Sequence, residues 1–155
     1  MSNKPLQIDF RKEIFNDVFY PLLHNESRYL VLYGGAGSGK SEFAGQKILY
    51  RMLSEKNHRF ILVRKVGKTI RNSQFKLLKD QIVRYGLQDY FEIRETDMRI
   101  MCPLTQSEIL SVGLDDKEKI KSLAQPTSIW YEEISELEMQ DFRQMSLRMR
   151  GLLPN

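Results

Sequence analysis

Cysteine is nearly absent from this chain of 155 residues; the single one is Cys102. An intrachain disulfide is therefore excluded, and such usage fits a reducing compartment. Histidine is scarce too: His24 and His58 are both remote from Cys102 in sequence and lie in no recognisable partner motif. Cys102 thus reads as core filler rather than as a nucleophile. No apolar run approaches the ~18 residues that a membrane span requires. The opening stretch, MSNKPLQIDFRKEIFNDVF, is charged throughout and has no continuous apolar segment of the kind a secretory signal needs. Repeats and low-complexity linkers are also lacking.

What is present is the composition of one globular domain, 41% hydrophobic and 28% charged. A chain of this size buries roughly 68–70% of its unfolded surface, enough for one core. The net charge is +4, but it is spread unevenly. Residues 59–84 hold Arg59, Arg64, Lys65, Lys68, Arg71, Lys76, Lys79 and Arg84 against one acid, Asp80. Average usage would place about four basic residues there (24/155 × 26). Such a run reads either as a solvated face or as a stripe that contacts a polyanion.

Along the chain, residues 1–28 read as an N-terminal extension with a short helix around 10–19. The apolar run 29–34 predicts a buried strand that feeds directly into glycines. Ala44, Ile48 and Met52, with Leu49 and Leu53 beside them, predict a helix over 41–55. RFILVRK, 59–65, predicts a second buried strand. Phe75, Leu78, Ile82 and Tyr85 place a second helix over 70–85, with Gly86 as its terminator. The alternating runs in 90–112 predict two or three antiparallel strands. A charged loop or short helix follows over 113–126, then a buried strand, TSIWYEE, over 127–133. A last helix over 139–150 turns Met139, Phe142, Met145 and Met149 inward and stops at Gly151 and Pro154. Strands alternating with helices in this order imply a parallel sheet with right-handed crossovers.

Between the first strand and the first helix lies Gly34-Gly35-Ala36-Gly37-Ser38-Gly39-Lys40-Ser41, which matches G-x-x-x-x-G-K-[ST] at every fixed position. Phosphate oxygens are approached by successive backbone N–H groups, which side chains at Gly37 or Gly39 would obstruct. The following helix points its positive N-terminal end at the same anion. Lys40 supplies a point charge for the β- and γ-phosphates, and the Ser41 hydroxyl can ligate Mg²⁺. Nucleotide hydrolysis needs carboxylates as well, at the carboxyl end of a parallel strand. SIWYEE offers them: Glu132 for the Mg²⁺ shell and Glu133 to polarise the attacking water. Glu132 is one methylene longer than the more usual Asp, which favours a water-mediated metal contact.

The segments LVLYGGAGSGKSEF, ILVRK, SEILSVGLDDKEKIKSLA, IWYEEISEL and LRMRG occur here in the order seen in phage terminase large subunits, and the chain resembles the PBSX-type group from about Asp9 onward. The resemblance implies an α/β P-loop NTPase fold of the RecA-like, additional-strand class. Such a fold is a parallel sheet flanked by helices, here with a small antiparallel β insertion. It implies ATP and Mg²⁺ as cofactors, with Gly34, Gly35, Ala36, Gly37, Ser38, Gly39, Lys40 and Ser41 around the phosphates. Ser41 and Glu132 would hold the metal, and Lys40 and Glu133 would be catalytic. Ala36 stands where many terminases carry an arginine. Arg148 and Arg150 match the family's LR-x-R segment as arginine-finger or sensor candidates. Arg64, Lys65, Lys68 and Arg71 are candidate DNA contacts. Asn16 and Tyr20 are adenine-side candidates within 1–28. The partners implied are double-stranded DNA, a portal protein, a small terminase subunit and further copies in a ring, in the cytoplasm of a bacterial host.

On this reading, residues 29–155 form part of an ATPase domain, without its later strands or the nuclease domain. Two strands are then expected to face each other unpaired, and the chain alone is expected to rearrange, to exchange strands with a second copy, or to fill the gap with another element. Steady ATPase turnover by this chain alone is expected to be weak. Two other readings compete. A small P-loop kinase would reveal itself in a phosphotransfer screen, and a non-enzymatic nucleic-acid module would bind DNA without binding nucleotide.

Overall fold

The run Phe60-Ile61-Leu62-Val63 lies at the centre of the molecule. In the computed structural model, which describes residues 8–123 and 125–149, it forms the middle of β1 (Arg59–Arg64). All four side chains are buried, because helices cover the strand on both faces. β1 pairs in parallel with β4 (Ser107–Gly113) on one side and with β5 (Ser128–Tyr131) on the other. β3 (Arg99–Cys102) and β2 (Glu92–Arg94) extend the same sheet antiparallel beyond β4, in the order β2-β3-β4-β1-β5. The antiparallel strands expected over 90–112 are present as β2, β3 and β4, continuous with the parallel part of the sheet. Their last member, β4, also belongs to the parallel ladder.

Successive β1 residues face opposite layers. Phe60 and Leu62 pack with Ile48, Leu49 and Met52 of α1 (Lys40–Ser54) and with Phe75, Leu78 and Ile82 of α2 (Gln74–Arg84). Ile61 and Val63 pack with Ile120 of α3 (Lys117–Ser122) and Met145 of α4 (Met139–Arg148). Cys102 is a free thiol, fully buried in the first of these cores. Among the described residues, no helix is long and apolar enough to cross a membrane.

Four local expectations are corrected. First, residues 10–19 do not form a helix. Two 3-10 turns stand there instead, Lys12–Ile14 and Tyr20–Leu22, and Asn16 accepts a hydrogen bond from the Val18 N–H in an Asx-type turn at 2.9 Å. Second, the helix placed over 70–85 is broken at Ser73 (φ −119°, ψ −105°) between a 3-10 segment, Gly67–Asn72, and α2; Gly86, at φ +67°, does end it. Third, Met139 is 64% exposed at the start of α4, while Met145 is buried.

The fourth correction concerns 29–34, which forms no strand and exposes Tyr29, Val31 and Tyr33. A strand exists only by pairing, and among the described residues none of the five strands offers this segment a ladder, β5 pairing there with β1 alone. The contact across to β5 is aromatic instead. Phe142 of α4 lies 6.0 Å from the Tyr29 ring and 5.4 Å from the Tyr131 ring, between centroids. Burial pushes the Tyr131 phenol up to about 12.

The C-terminal end of α1 is fastened to the amino ends of three strands. Arg51 donates twice to the Glu55 carboxylate (2.9 and 3.0 Å) and once to Ser128 Oγ (3.2 Å). His58, 1% exposed, contacts Glu55 through Nε2 and Thr127 Oγ1 through Nδ1 (3.1 Å), and stacks on Phe60. Its backbone N–H donates to Ser107 Oγ at 3.1 Å.

Burial first, and then the Arg51 charge, hold the His58 pKa below its ordinary 6.5. For Glu55, burial alone would raise the pKa, but Arg51 and His58 together bring it below 4.5. Between pH 6.5 and the native His58 value, the unfolded chain binds the extra proton, so stability rises with pH there. The His58 contribution is whole above pH 6.5 and is lost as pH falls through the native value; the Glu55 contribution is lost at lower pH still. Urea unfolding between pH 7.5 and 5 is expected to show stability falling with acid, by at most about 1.4 kcal/mol per pH unit from this one group. His58→Gln flattens that slope, and equal slopes in the two proteins would refute the assignment.

Candidate functional site

The carboxyl ends of β1, β4 and β5 meet at one edge of the sheet, and the glycine turn stands beside it. Three glycines of this turn have left-handed φ: Gly34 (+147°), Gly37 (+73°) and Gly39 (+85°). Other residues rarely adopt these angles, which is why the turn is built of glycine. Gly39 is also the N-cap of α1 and leaves that helix without a side-chain cap, so its first-turn N–H groups remain available to an anion. A Cβ at Gly39 would meet the Phe19 ring at 3.6 Å and Asn16 Nδ2 at 3.8 Å.

Lys40 Nζ curls back over the turn and donates to Gly34 O (2.9 Å), Gly35 O (2.8 Å) and Ser38 Oγ (2.9 Å). The next residue, Ser41, donates through Oγ to Glu132 Oε1 at 2.7 Å. Glu132 continues the β5 ladder through its N–H to Val63 O at 3.2 Å. Glu133 follows with φ +54° and ψ +51°, an uncommon conformation for a residue with a Cβ, and is exposed.

The basic run is largely paired. Arg64 Nη2 lies 3.7 Å from Glu136, while its Nε is buried without a hydrogen-bond partner among the described residues. Arg71 meets Glu95 at 3.6 Å. Arg59 pairs with Glu108, Lys76 with Asp80, Lys79 with Glu95 and Arg84 with Glu42. Lys65 and Lys68 are exposed at the carboxyl edge of the sheet. Of the eight cations in the run, the acidic surroundings thus engage six, among them the DNA candidates Arg64 and Arg71. Arg148 donates to Lys121 O at 3.4 Å, and Arg150 lies outside the described residues. Tyr20 packs on Phe15 under the Lys12 ammonium, whereas Asn16 stands beside Gly39.

Sequence reasoning missed three participants. Phe19, whose spacing suits a core stripe, stacks on Phe43 at 5.3 Å and also borders Gly39. The ion pair of Arg64 with Glu136 has no signal in spacing. Gln74 donates to Trp130 O at 2.9 Å, bringing α2 against β5 beneath the acids. The loops that carry Lys65 and Lys68 are clasped by a close approach of two glycines: Asp115 Oδ1 accepts from the Gly67 N–H at 2.9 Å, across Gly113.

Comparison with known proteins accords with this geometry. A family described as phage terminase large subunit matches residues 26–155. The PBSX phage terminase large subunit of Bacillus subtilis (strain 168) is 32% identical over 125 residues, 81% of this chain and 28% of the relative. The chain therefore spans a little over a quarter of that relative's length. Among solved structures, the ATPase domain of the Thermus phage P74-26 large terminase superposes with a TM-score of 0.64 at 12% identity, covering 86% of this chain and 64% of that one. A large terminase from a thermophilic bacteriophage, in complex with ADP, gives 0.59 at 13% identity, covering 76% and 29%. At such identities these structures bear on the fold, which is that of large terminase ATPase domains.

A Cβ at Gly113 would lie 2.3 Å from Gly67 N and 2.4 Å from Gly67 Cα, backbone atoms that cannot swing aside. Gly113→Ala is expected to lower unfolding free energy by about 1–3 kcal/mol, read from a urea titration. An unchanged midpoint would show that the clasp is not a constraint.

Proposed function

The chain belongs to the phage terminase large subunit family, and on that premise we propose that it binds and hydrolyses ATP to drive double-stranded DNA into procapsids. The observation that carries this reading is the Ser41–Glu132 hydrogen bond, 2.7 Å long between residues 91 apart in sequence. It brings a hydroxyl at the start of the phosphate-loop helix against a carboxylate at the end of a parallel strand. The large terminase solved in complex with ADP supports a nucleotide as the ligand.

The turn amides and the uncapped first turn of α1 receive the phosphates, and Lys40 exchanges its three loop acceptors for phosphate oxygens. Ser41 directs its O–H at Glu132, which leaves its oxygen lone pairs free beside a carboxylate, a hard-oxygen pair that fits Mg²⁺. Ser41 and Glu132 would hold the ion, which would supply charge neutralisation at the terminal phosphates. Glu133 orients the attacking water and takes up its proton, and its left-handed backbone turns it away from the strand direction. Asn16 and Tyr20 are the adenine-side residues of this reading, within the 1–28 extension; Asn16 and Phe19 stand beside Gly39. Lys65 and Lys68 offer charge to DNA phosphates. Arg148, Arg150, the ring, the portal protein and the small subunit belong to the proposal for the whole protein, as part of whose ATPase domain residues 29–155 are read.

Titration with Mg-ATP and a non-hydrolysable analogue tests the binding, and Lys40→Ala is expected to weaken it at least tenfold. Single-turnover hydrolysis with the chain in excess over ATP tests the chemistry. There, Glu133→Gln is expected to slow cleavage about 10²–10⁴-fold while leaving affinity within twofold. An unchanged rate would remove Glu133 from its role, and a wild-type chain that binds no nucleotide would sink the whole reading.

A further inference from the structure

The α1 helix and the segment 127–132 run side by side in opposite directions, and side chains tie them together at both ends. At one end is the Ser41–Glu132 hydrogen bond. At the other, Arg51 donates to Ser128 Oγ at 3.2 Å and His58 Nδ1 meets Thr127 Oγ1 at 3.1 Å. Ten residues of helix from Ser41 to Arg51 span about 15 Å. Four residues of strand from Ser128 to Glu132 span about 13 Å. The two lengths nearly match, so, with β5 held in register by β1, the far ties fix how far the helix can shift along the strand and hence where Ser41 lies against Glu132.

We propose that Arg51, with His58 and Glu55, is a positioning unit for the Ser41–Glu132 pair and sets its fit to Mg²⁺ from the opposite end of α1. This rests on the nucleotide-binding reading above. Arg51 suits the task because its guanidinium is held in a single orientation. Glu55 engages it through two hydrogen bonds, and the Phe60 ring lies 5.4 Å beneath it. His58 is buried and in contact with Glu55 and Thr127, and Thr127 Oγ1 accepts from the Arg59 N–H at 2.9 Å. The foot of β5 is therefore tied to both α1 and β1. Among the described residues no further hydrogen bond links α1 and β5 side chains; between the two ties, Trp130 packs against the core to which Ile48, Leu49 and Met52 belong.

The test separates metal-dependent from metal-independent nucleotide binding. The affinity of the 155-residue chain for a fluorescent ATP analogue is measured with Mg²⁺ and with EDTA, and the ratio is the metal enhancement. Arg51→Met is expected to cut that enhancement about 5–10-fold while leaving the EDTA affinity within twofold, since Lys40 and the glycine turn are untouched. Ser128→Ala, which removes one hydroxyl and keeps α1 intact, is expected to cut it about 2–3-fold and covers the case in which Arg51→Met fails to fold. If both affinities fall together in a folded variant, the cluster acts on general stability and the proposal is overturned. An enhancement unchanged in Ser128→Ala and in folded Arg51→Met overturns it as well. A wild-type chain with no nucleotide affinity condemns the functional reading instead, and a wild-type chain that binds without any metal enhancement removes the Mg²⁺ pair from it.

Discussion

The parallel pairing of β1 with β4 and β5 is the constraint from which the remaining geometry follows. Parallel strands bring equivalent ends to the same edge, so Arg64, Gly113 and Glu132 emerge together although they are far apart in sequence. The ladder can hold only because β1 is apolar on both faces, with Phe60 and Leu62 under α1 and α2, and Ile61 and Val63 under α3 and α4. The hydrophobic effect thus fixes the strand, the strand fixes its neighbours by backbone hydrogen bonds, and the loops at their carboxyl ends inherit their positions. The acids at 132 and 133 owe their location to this chain of causes, not to any affinity for the glycine turn.

Much of this is legible in the sequence, and where reading fails the cause lies in partners that only the fold supplies or withholds. The glycine turn is local chemistry: left-handed angles demand glycine, and a helix start demands the uncapped amides that follow. The run 59–64 and the stripe Phe75, Leu78, Ile82 carry their burial in their composition, whereas 128–131 forms the expected strand with all four residues only half-buried. The run 29–34 has the same composition, yet it forms no strand, because composition encodes a preference for pairing and not the presence of a partner. The cluster at the foot of α1 is invisible for the opposite reason. Arg51, Glu55, His58, Thr127 and Ser128 have no telling spacing, and only the fold brings them together.

The basic run illustrates how a charge count misleads. Eight cations against one acid within 59–84 looks like a polyanion stripe, yet the neutralising acids come from elsewhere: Glu42 in α1, Glu95 after β2, Glu108 in β4 and Glu136 after β5. Exposed pairs of this kind add little to stability, but they remove most of the field that the sequence seemed to promise. Among the described residues, the charge left unengaged at the sheet's carboxyl edge is Lys65 and Lys68, on segments held by the Gly67–Gly113 approach. A contact with DNA built there would be small in area, and it would depend on backbone packing more than on the length of the basic run.

Glu133 and Arg64 show how the two ends of this edge are coupled. Glu133 takes a left-handed conformation that costs an ordinary residue of order 1–3 kcal/mol, and the surrounding structure must hold it there. The 3-10 turn Ile134–Glu136 does so from one side, with the Glu136 N–H donating to Glu133 O at 2.9 Å. Arg64 does so from the other, since its guanidinium faces the Glu136 carboxylate while its own Nε is left without a partner among the described residues. A buried donor without an acceptor is itself unfavourable. The arrangement at this edge therefore sets a strained backbone at Glu133 beside a buried donor, Arg64 Nε, that has no acceptor among the described residues.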